Sequence, residues 1–410
     1  MSRDPRNSNH DSHLHQSLLG GYETLRIALI ELYASVGADP GNPQEAARRF
    51  NVNKTLTWTI SKVMGNSDPL IMLPSVPGES ALNGFLRAMQ DVGARKGAVE
   101  RVRAAAAELH QMVELQVGDR STLELIVDGM EPGRGDQLAL SRKLAFRGNS
   151  GLWGVQARTR LHSVLLAPNR VAPDRIDMAV VRGYIGLRRL RSDVSWPIFQ
   201  IRQWGAVGDA MAAPWRPLDE SVSGQGGLPL LREFSTACAS DFETKQTAQG
   251  ADYLLAPGRI GNAGATDCFL GDFGIAAAGK YQTEDDTTGE FGATISAPTE
   301  RLVFDLLADE QLDFVLKPEV RAFAGVFMHR SEESAPEGML PIPVPQSVVP
   351  LPGRPPVVAT PAVPRYPEIV GYVQDRMQWN IGQFRGCRFE FLHPPLGSTI
   401  LLRFKLMAPP

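Results

Sequence analysis

The chain has 410 residues, 43% of them apolar and 21% charged, and its 42 Lys and Arg against 45 Asp and Glu leave a formal net charge of -3. That length allows two or three domains with real cores and excludes a peptide hormone or a disulfide miniprotein. The even charge balance names no partner, so any contact with nucleic acid or an acidic surface must come from a local patch. Cys238, Cys268 and Cys387 are few, odd in number and widely spaced, which fits neither a disulfide framework nor a zinc site built on CxxC pairs and points to a reducing compartment. The opening MSRDPRNSNHDSHLHQ lacks the apolar stretch of a secretory signal, and no later run approaches the roughly 18 apolar residues of a membrane span. The expectation is a cytoplasmic protein with no membrane partner.

Residues 1-18 are polar and aperiodic and read as a disordered tail. His10, His13 and His15 lie there without a carboxylate or thiolate cluster beside them, so no metal site is expected. Leu25, Ala28, Leu29, Leu32 and Val36 then repeat at three and four residues, a helix stripe that Gly37 can end. Asn42-Pro43-Gln44-Glu45 supplies a cap, a proline at the first helical position and a capping acid for a second helix through Ala46, Ala47 and Phe50. Asn51-Val52-Asn53 follows, where Asn51 tolerates a left-handed turn and Asn53 caps a third helix from Lys54 to about Met64, ended by Gly65.

Two short capped helices separated by three residues resemble the helix-turn-helix of bacterial transcriptional regulators, here over Pro43 to Val63. The small Ala47 suits a close helix crossing, and Val52 can plug the core between the helices. With Leu56, Ile60 and Val63 turned inward, about 100 degrees per residue places Lys54, Thr57, Trp58 and Ser61 outward, with Thr55 and Lys62 at the flank. The resemblance implies that this helix enters a major groove of double-stranded DNA, with Asn53, Lys54, Thr55, Thr57, Trp58, Ser61 and Lys62 as DNA-binding residues.

Leu73 to Gly78 resembles the turn of a helix-hairpin-helix module, but Ser75 and Pro77 stand where glycines belong, and it reads as the start of a helix over Ser80 to Val92. Val99, Val102, Ala106, Leu109 and Val113 keep heptad spacing for about two heptads, which suits a helix packed in its own domain and a dimer seam equally. Beyond residue 120, helices are expected around Leu123 to Val127 and Leu138 to Ala145. Val155, Ala157, Thr159 and Leu161 alternate with Gln156, Arg158, Arg160 and His162, the pattern of a strand with one solvent face. Further strands are expected over Ile176 to Leu187, Ile198 to Trp204, Phe314 to Phe327, Cys387 to Leu392 and Thr399 to Phe404, the last two joined as a hairpin through His393 to Gly397. Pro336 to Pro367 holds 11 prolines in 32 residues and reads as an extended loop or linker.

Val155 to Trp204 carries nine arginines against three aspartates, and Gly205 to Ser334 carries nine basic against 21 acidic residues. Arg158 and Arg160 beside Arg188, Arg189 and Arg191 could hold phosphate, but mutual neutralisation of the two regions across a domain or subunit contact is the simpler account. Enzyme motifs fail on detail. Gly274 to Lys280 imitates a phosphate-binding loop but is followed by Tyr281 instead of Ser or Thr, and Asp272-Phe273-Gly274 has no His-Arg-Asp loop before it. An enzyme with an unfamiliar site is the third reading, behind DNA binding and assembly, and no cofactor is expected.

The reading is a multidomain α+β protein. Residues 19-93 are the all-α helix-turn-helix domain, 94-118 a connecting helix, 119-335 an α+β module, and 368-410 strands packing on that module. The function expected is sequence-specific DNA binding in transcriptional control by a homo-oligomer, with a β-containing C-terminal module for sensing a small-molecule effector or for assembly. The alternative is a structural or assembly protein whose helical head joins subunits.

Overall fold

The computed structural model describes residues 5-66, 72-119, 122-123, 135-202, 215-222, 228-247, 250-284, 286-325, 340-344 and 346-410, with side chains of the first helix described from Gln16 onward. The chain divides into a helical unit, Met1–Arg134, and a sheet-rich unit, Gly135–Pro410. The fold is α+β, with helices first and the larger β-containing part second.

The first unit contains α1 (Pro5–Ser35), α2 (Pro43–Arg49), α3 (Lys54–Gly65), a 3-10 turn at Leu73–Ser75, α4 (Glu79–Asp91) and α5 (Lys96–Gln116). Gly37 ends α1 as expected: at φ 63° it takes the left-handed conformation, and the Ala38 N-H returns to the Tyr33 carbonyl at 3.0 Å. The expected disordered tail is corrected, because helix already begins at Pro5. Extending a helix costs far less than nucleating one, so the packed stripe from Leu18 onward can carry a polar segment in front of it.

Leu18, Tyr22, Leu25, Leu29 and Leu32 of α1 are buried together with Val99, Val102, Ala106 and Leu109 of α5 in one core. Two heptad-spaced faces thus meet within the chain, and at Gly21 an added Cβ would lie only 3.2 Å from Leu109. The connecting helix is therefore corrected to a core element of the first unit, and its stripe is not a free dimer seam.

In the second unit, α6 (Gly135–Trp153) precedes β1 (Val155–Pro168), β2 (Arg175–Arg189), β3 (Trp196–Arg202), β4 (Arg216–Pro217), β5 (Phe242–Thr247), β6 (Gly250–Leu255) and β7 (Thr266–Gly279). Then come β8 (Thr288–Thr294), β9 (Thr299–Asp309), β10 (Glu319–Ala324), β11 (Pro341–Ile342), β12 (Val349–Leu351), α7 (Tyr366–Met377), β13 (Phe384–Leu392) and β14 (Ser398–Lys405). A seven-stranded sheet runs β12-β13-β9-β1-β2-β7-β4, beside a four-stranded sheet β11-β10-β14-β8 and a three-stranded sheet β3-β6-β5. The central strand β1 is antiparallel to β2 and parallel to β9.

Both faces of the large sheet are covered. Leu161, Leu165, Val181, Val303 and Leu307 pack with Tyr366, Ile369, Val370 and Val373 of α7. The opposite face, with Val164, Leu166, Phe304, Leu306 and Phe389, packs on Ile400, Leu402 and Phe404 of β14. The expected solvent face of β1 is thereby corrected: Arg160 and His162 are buried because that side meets further sheet instead of water. The expected hairpin is corrected too. β13 pairs with β9 and β12, whereas β14 pairs with β8 and β10. His393 (φ 49°) and Gly397 (φ 77°) lie in the connection that carries the chain from one layer to the other.

Within Phe314 to Phe327, a 3-10 segment (Glu310–Leu316) comes before β10, and residues beyond 325 fall outside the described set. Within the described part of the proline-rich stretch, β11 and β12 are short strands, α7 begins at Tyr366, and the rest forms no further helix or strand; β12 lies at a sheet edge where proline is tolerated. The helix expected at Leu123 to Val127 falls largely outside the described residues.

Candidate nucleic-acid interface

α2 and α3 owe their ends to side chains. Asn42 Oδ1 accepts the Glu45 N-H at 3.2 Å while its amide donates to Glu45 Oε2 at 3.0 Å, and Pro43 occupies the first turn, where no donor is needed. Asn51 takes φ 51°, and the Val52 N-H closes the turn on the Ala47 carbonyl at 3.1 Å. Asn53 Oδ1 accepts the Thr55 N-H at 2.7 Å and starts α3.

Ala46, Phe50, Ile60, Val63 and Met64 bury the inner face of the pair. Phe50 meets the Tyr33 ring edge-on at 6.3 Å, and burial pushes the Tyr33 hydroxyl up to about 12, so this side chain is a neutral part of the core.

Three contacts absent from the sequence reading fix where α3 points. The Tyr22 hydroxyl lies 2.9 Å from the Val63 carbonyl and 3.0 Å from that of Asn66, and Arg26 Nε donates to the Met64 carbonyl at 3.1 Å. Arg49 donates to the Val36 and Gly37 carbonyls, tying α2 to the end of α1. Tyr22 and Arg26 stand four residues apart on α1; a polar tip within an apolar stripe was the available signal.

The exposed face of α3 carries Lys54, Thr55, Trp58 and Lys62, with Asn53 exposed at its cap. Trp58 is 50% exposed, and the Lys62 ammonium lies 5.9 Å from its ring centroid. Two expected contact residues are corrected. Thr57 is fully buried, its hydroxyl turned to the Lys54 carbonyl at 3.0 Å, because it takes the core position left by the half-buried Leu56. Ser61 is half-buried and donates to the Pro40 carbonyl at 2.5 Å, bracing the loop before α2. Arg48, exposed on α2, was not among the expected residues. Pro43 to Gly65 thus holds Arg48, Arg49, Lys54 and Lys62 against the single acid Glu45, a local positive surface on a chain of near-zero net charge.

The other charged and motif-like segments are absorbed by the second unit. Arg189 donates to the Ala256 carbonyl, Arg188 to Asn262 Oδ1 at 3.0 Å and Arg191 to the Leu152 carbonyl at 3.3 Å. Both charged segments lie in the second unit, so the contacts seen between them, Arg182 with Asp272 among them, lie inside one unit and not across a domain boundary. Gly274 to Gly279 lies in β7 instead of a strand-to-helix loop, and Asp272 is buried against Arg182. Burial pushes the Cys268 and Cys387 thiols up to about 12, so neither is a ready nucleophile. Among the described residues, no three His, Cys, Asp or Glu side chains assemble into a metal site, and no helix is long and apolar enough to cross a membrane.

No family model and no curated protein matches the chain. A crystal structure from Parabacteroides distasonis of a protein provisionally named a protease aligns at 7% identity and a TM-score of 0.25. The alignment covers 62% of this chain and 40% of that one, and at that score it carries no argument about fold or activity.

Proposed function

We propose that the protein binds double-stranded DNA through α3 and acts in transcriptional control, with the second unit as its sensing or assembly module. The observation that supports this reading is the exposed row Lys54, Thr55, Trp58 and Lys62 on a helix whose two ends are held by Asn53 and by Tyr22 and Arg26. A rigid helix that projects cations and hydroxyls and carries no carboxylate suits a groove lined by phosphate. Lys54, Lys62 and Arg48 serve phosphates, Thr55 reaches a base edge, and Trp58 packs on sugar or a thymine methyl.

The test is binding of the full-length chain to a duplex library across a salt series. Affinity that falls log-linearly with salt, with a slope that shrinks by about one for each lysine replaced by alanine, supports the reading. No binding at low salt overturns it.

Assembly as a homo-oligomer is the second reading, and a separate surface favours it. α6 packs its Arg142, Phe146 and Ser150 side inward, yet leaves Leu140, Leu144 and Leu152 more than half exposed. Sedimentation of the wild type and of Leu144→Lys tests it: a wild-type monomer ends the oligomer reading.

A further inference from the structure

The interior of the second unit holds a row of charges that the DNA reading does not use. On β1 and β2, His162 stands opposite Arg182 and Arg160 opposite Tyr184, while β7 brings Cys268 beside Tyr184 and places Asp272 opposite Val180, diagonal to Arg182. Arg182 is ion-paired to Asp272, which uses the one carboxylate of the row.

Arg160 is 5% exposed and has no such partner among the described residues. It donates to the Gly183 carbonyl at 3.3 Å and lies 4.6 Å from the Tyr184 ring and 5.2 Å from that of Phe199. His162, 7% exposed, meets Phe304 edge-on at 4.7 Å. Burial first, then the charges of Arg160 and Arg182, hold its imidazole well below the usual histidine range, so it is neutral. Among the described residues, Arg160 Nε, Arg182 Nε and His162 Nδ1 have no hydrogen-bond partner.

One buried guanidinium and one half-buried one against a single carboxylate leave an excess positive charge in a medium that solvates it poorly. Aromatic faces return only part of the lost hydration, and buried donors are nearly always paired. A structural role would be served by a second carboxylate or by an apolar side chain at position 160. The arrangement asks instead for an anion supplied from outside.

We propose that Arg160 and His162, flanked by Tyr184 and Phe199, bind a small oxyanion, either inorganic phosphate or a carboxylate group. Exposure grows from Arg160 and His162 toward the Arg182 side chain, which is 22% exposed, so the ligand enters at the Arg182 end and must be small. The fork of Arg160 supplies the donors that match two oxygens of such a group. The proposal stands apart from the DNA reading, because the row lies wholly in the second unit.

The experiment is calorimetric titration of the full-length chain with inorganic phosphate and, separately, with succinate, at constant ionic strength set by chloride. Saturable one-site binding of either probe is expected, weakened at least tenfold by Arg160→Met and by His162→Leu and unchanged by the paired Lys54→Ala, Lys62→Ala variant. Phosphate binding alone assigns a phosphate ligand, and succinate binding alone a carboxylate. No saturable heat with either probe overturns the proposal. So does undiminished affinity in Arg160→Met, or loss of binding in the paired lysine variant, which would place the anion on α3. If Arg160→Met does not fold, hydrogen exchange of β1 in the wild type decides: slowed exchange around Arg160 with the bound probe supports the site, and unchanged exchange refutes it.

Discussion

Among the described residues of Met1–Arg134, Thr57 is the one buried polar side chain that is not aromatic, whereas Gly135–Pro410 buries Arg142, Arg160, His162, Asp177, Arg189, Asp272, Asp305 and Asp309. The contrast follows from how each kind of element meets water. An amphipathic helix satisfies its own backbone and keeps one face wet, so α3 can hold its chemistry outside. A sheet covered on both faces has no wet side, and every polar residue on its central strands must find a partner indoors. The first unit should therefore shed function without losing stability, and the second should not.

The sharpest way to break this comparison is at Asp305. Its carboxylate is fully buried on β9 and takes a two-pronged bond from Arg388, 2.8 Å at each prong, while the same guanidinium reaches the Val358 carbonyl and Tyr366 donates to Ser163 Oγ alongside. Asp305→Ala should cost about 3 to 5 kcal/mol by stranding Arg388, and the double change Asp305→Leu with Arg388→Met should recover most of that. Denaturant unfolding read by tryptophan fluorescence checks it, since Trp58 is the one tryptophan before residue 135. A single variant as stable as the wild type would show that the interior charges do not hold the second unit together.

Unequal legibility follows from the same contrast. In the first unit the caps Asn42 and Asn53, the left-handed Asn51 and the end of α1 at Gly37 were all readable, because each depends on residues two to four positions away. Thr57 was not: a threonine in a helix reads as polar, and its hydroxyl finds its acceptor on the helix itself. In the second unit, strand positions were readable but pairing and burial were not. Arg160 and His162 alternate with apolar residues just as a solvent face would, and only the sheets packed over β1 distinguish the two cases. β13 and β14 look like a hairpin because a short turn-rich segment joins them, yet each pairs with distant strands. α7 was missed inside a proline-rich region, although Pro367 at the helix start and Ile369, Val370 and Val373 on one side were its signature.

A pH titration sharpens the comparison further. Folded His162 is held below the usual range while the unfolded chain titrates near 6.5, so between those values the unfolded state binds more protons. Stability is whole above about pH 6.5 and falls as pH drops, by about 1.4 kcal/mol per pH unit for one histidine. His393, also lowered chiefly by burial, adds to the same slope. The groups around His162 are Arg160, Arg182 and the ring of Phe304, and none of them supplies a negative charge to reverse the sign. Hydrogen exchange should show the second unit loosening on acidification before the first, and His162→Leu should flatten its slope.

In the first unit, where caps and packing replace buried charge, effects should be smaller. Asn53→Ala removes the acceptor of the Thr55 N-H and should cost about 1 kcal/mol, with unfolding followed by exchange of α3 amides. A loss of several kcal/mol would mean that this cap anchors more than its own helix turn.

The smallest effect on stability is expected where the effect on function should be plainest. Lys62 is exposed on the last turn of α3, pairs with no carboxylate among the described residues, and meets the face of Trp58. Lys62→Ala should therefore change stability by no more than about 0.5 kcal/mol, the usual range for a surface position. If the residue meets a phosphate, the same change should lower DNA affinity almost evenly across sequences and reduce the salt slope by about one. Trp58→Ala should behave differently, lowering affinity with little change in slope, because an aromatic contact releases no counterion. Equal slopes for wild type and Lys62→Ala would take this lysine off the DNA, and unchanged affinity in both variants would leave the exposed face of α3 without a role in binding.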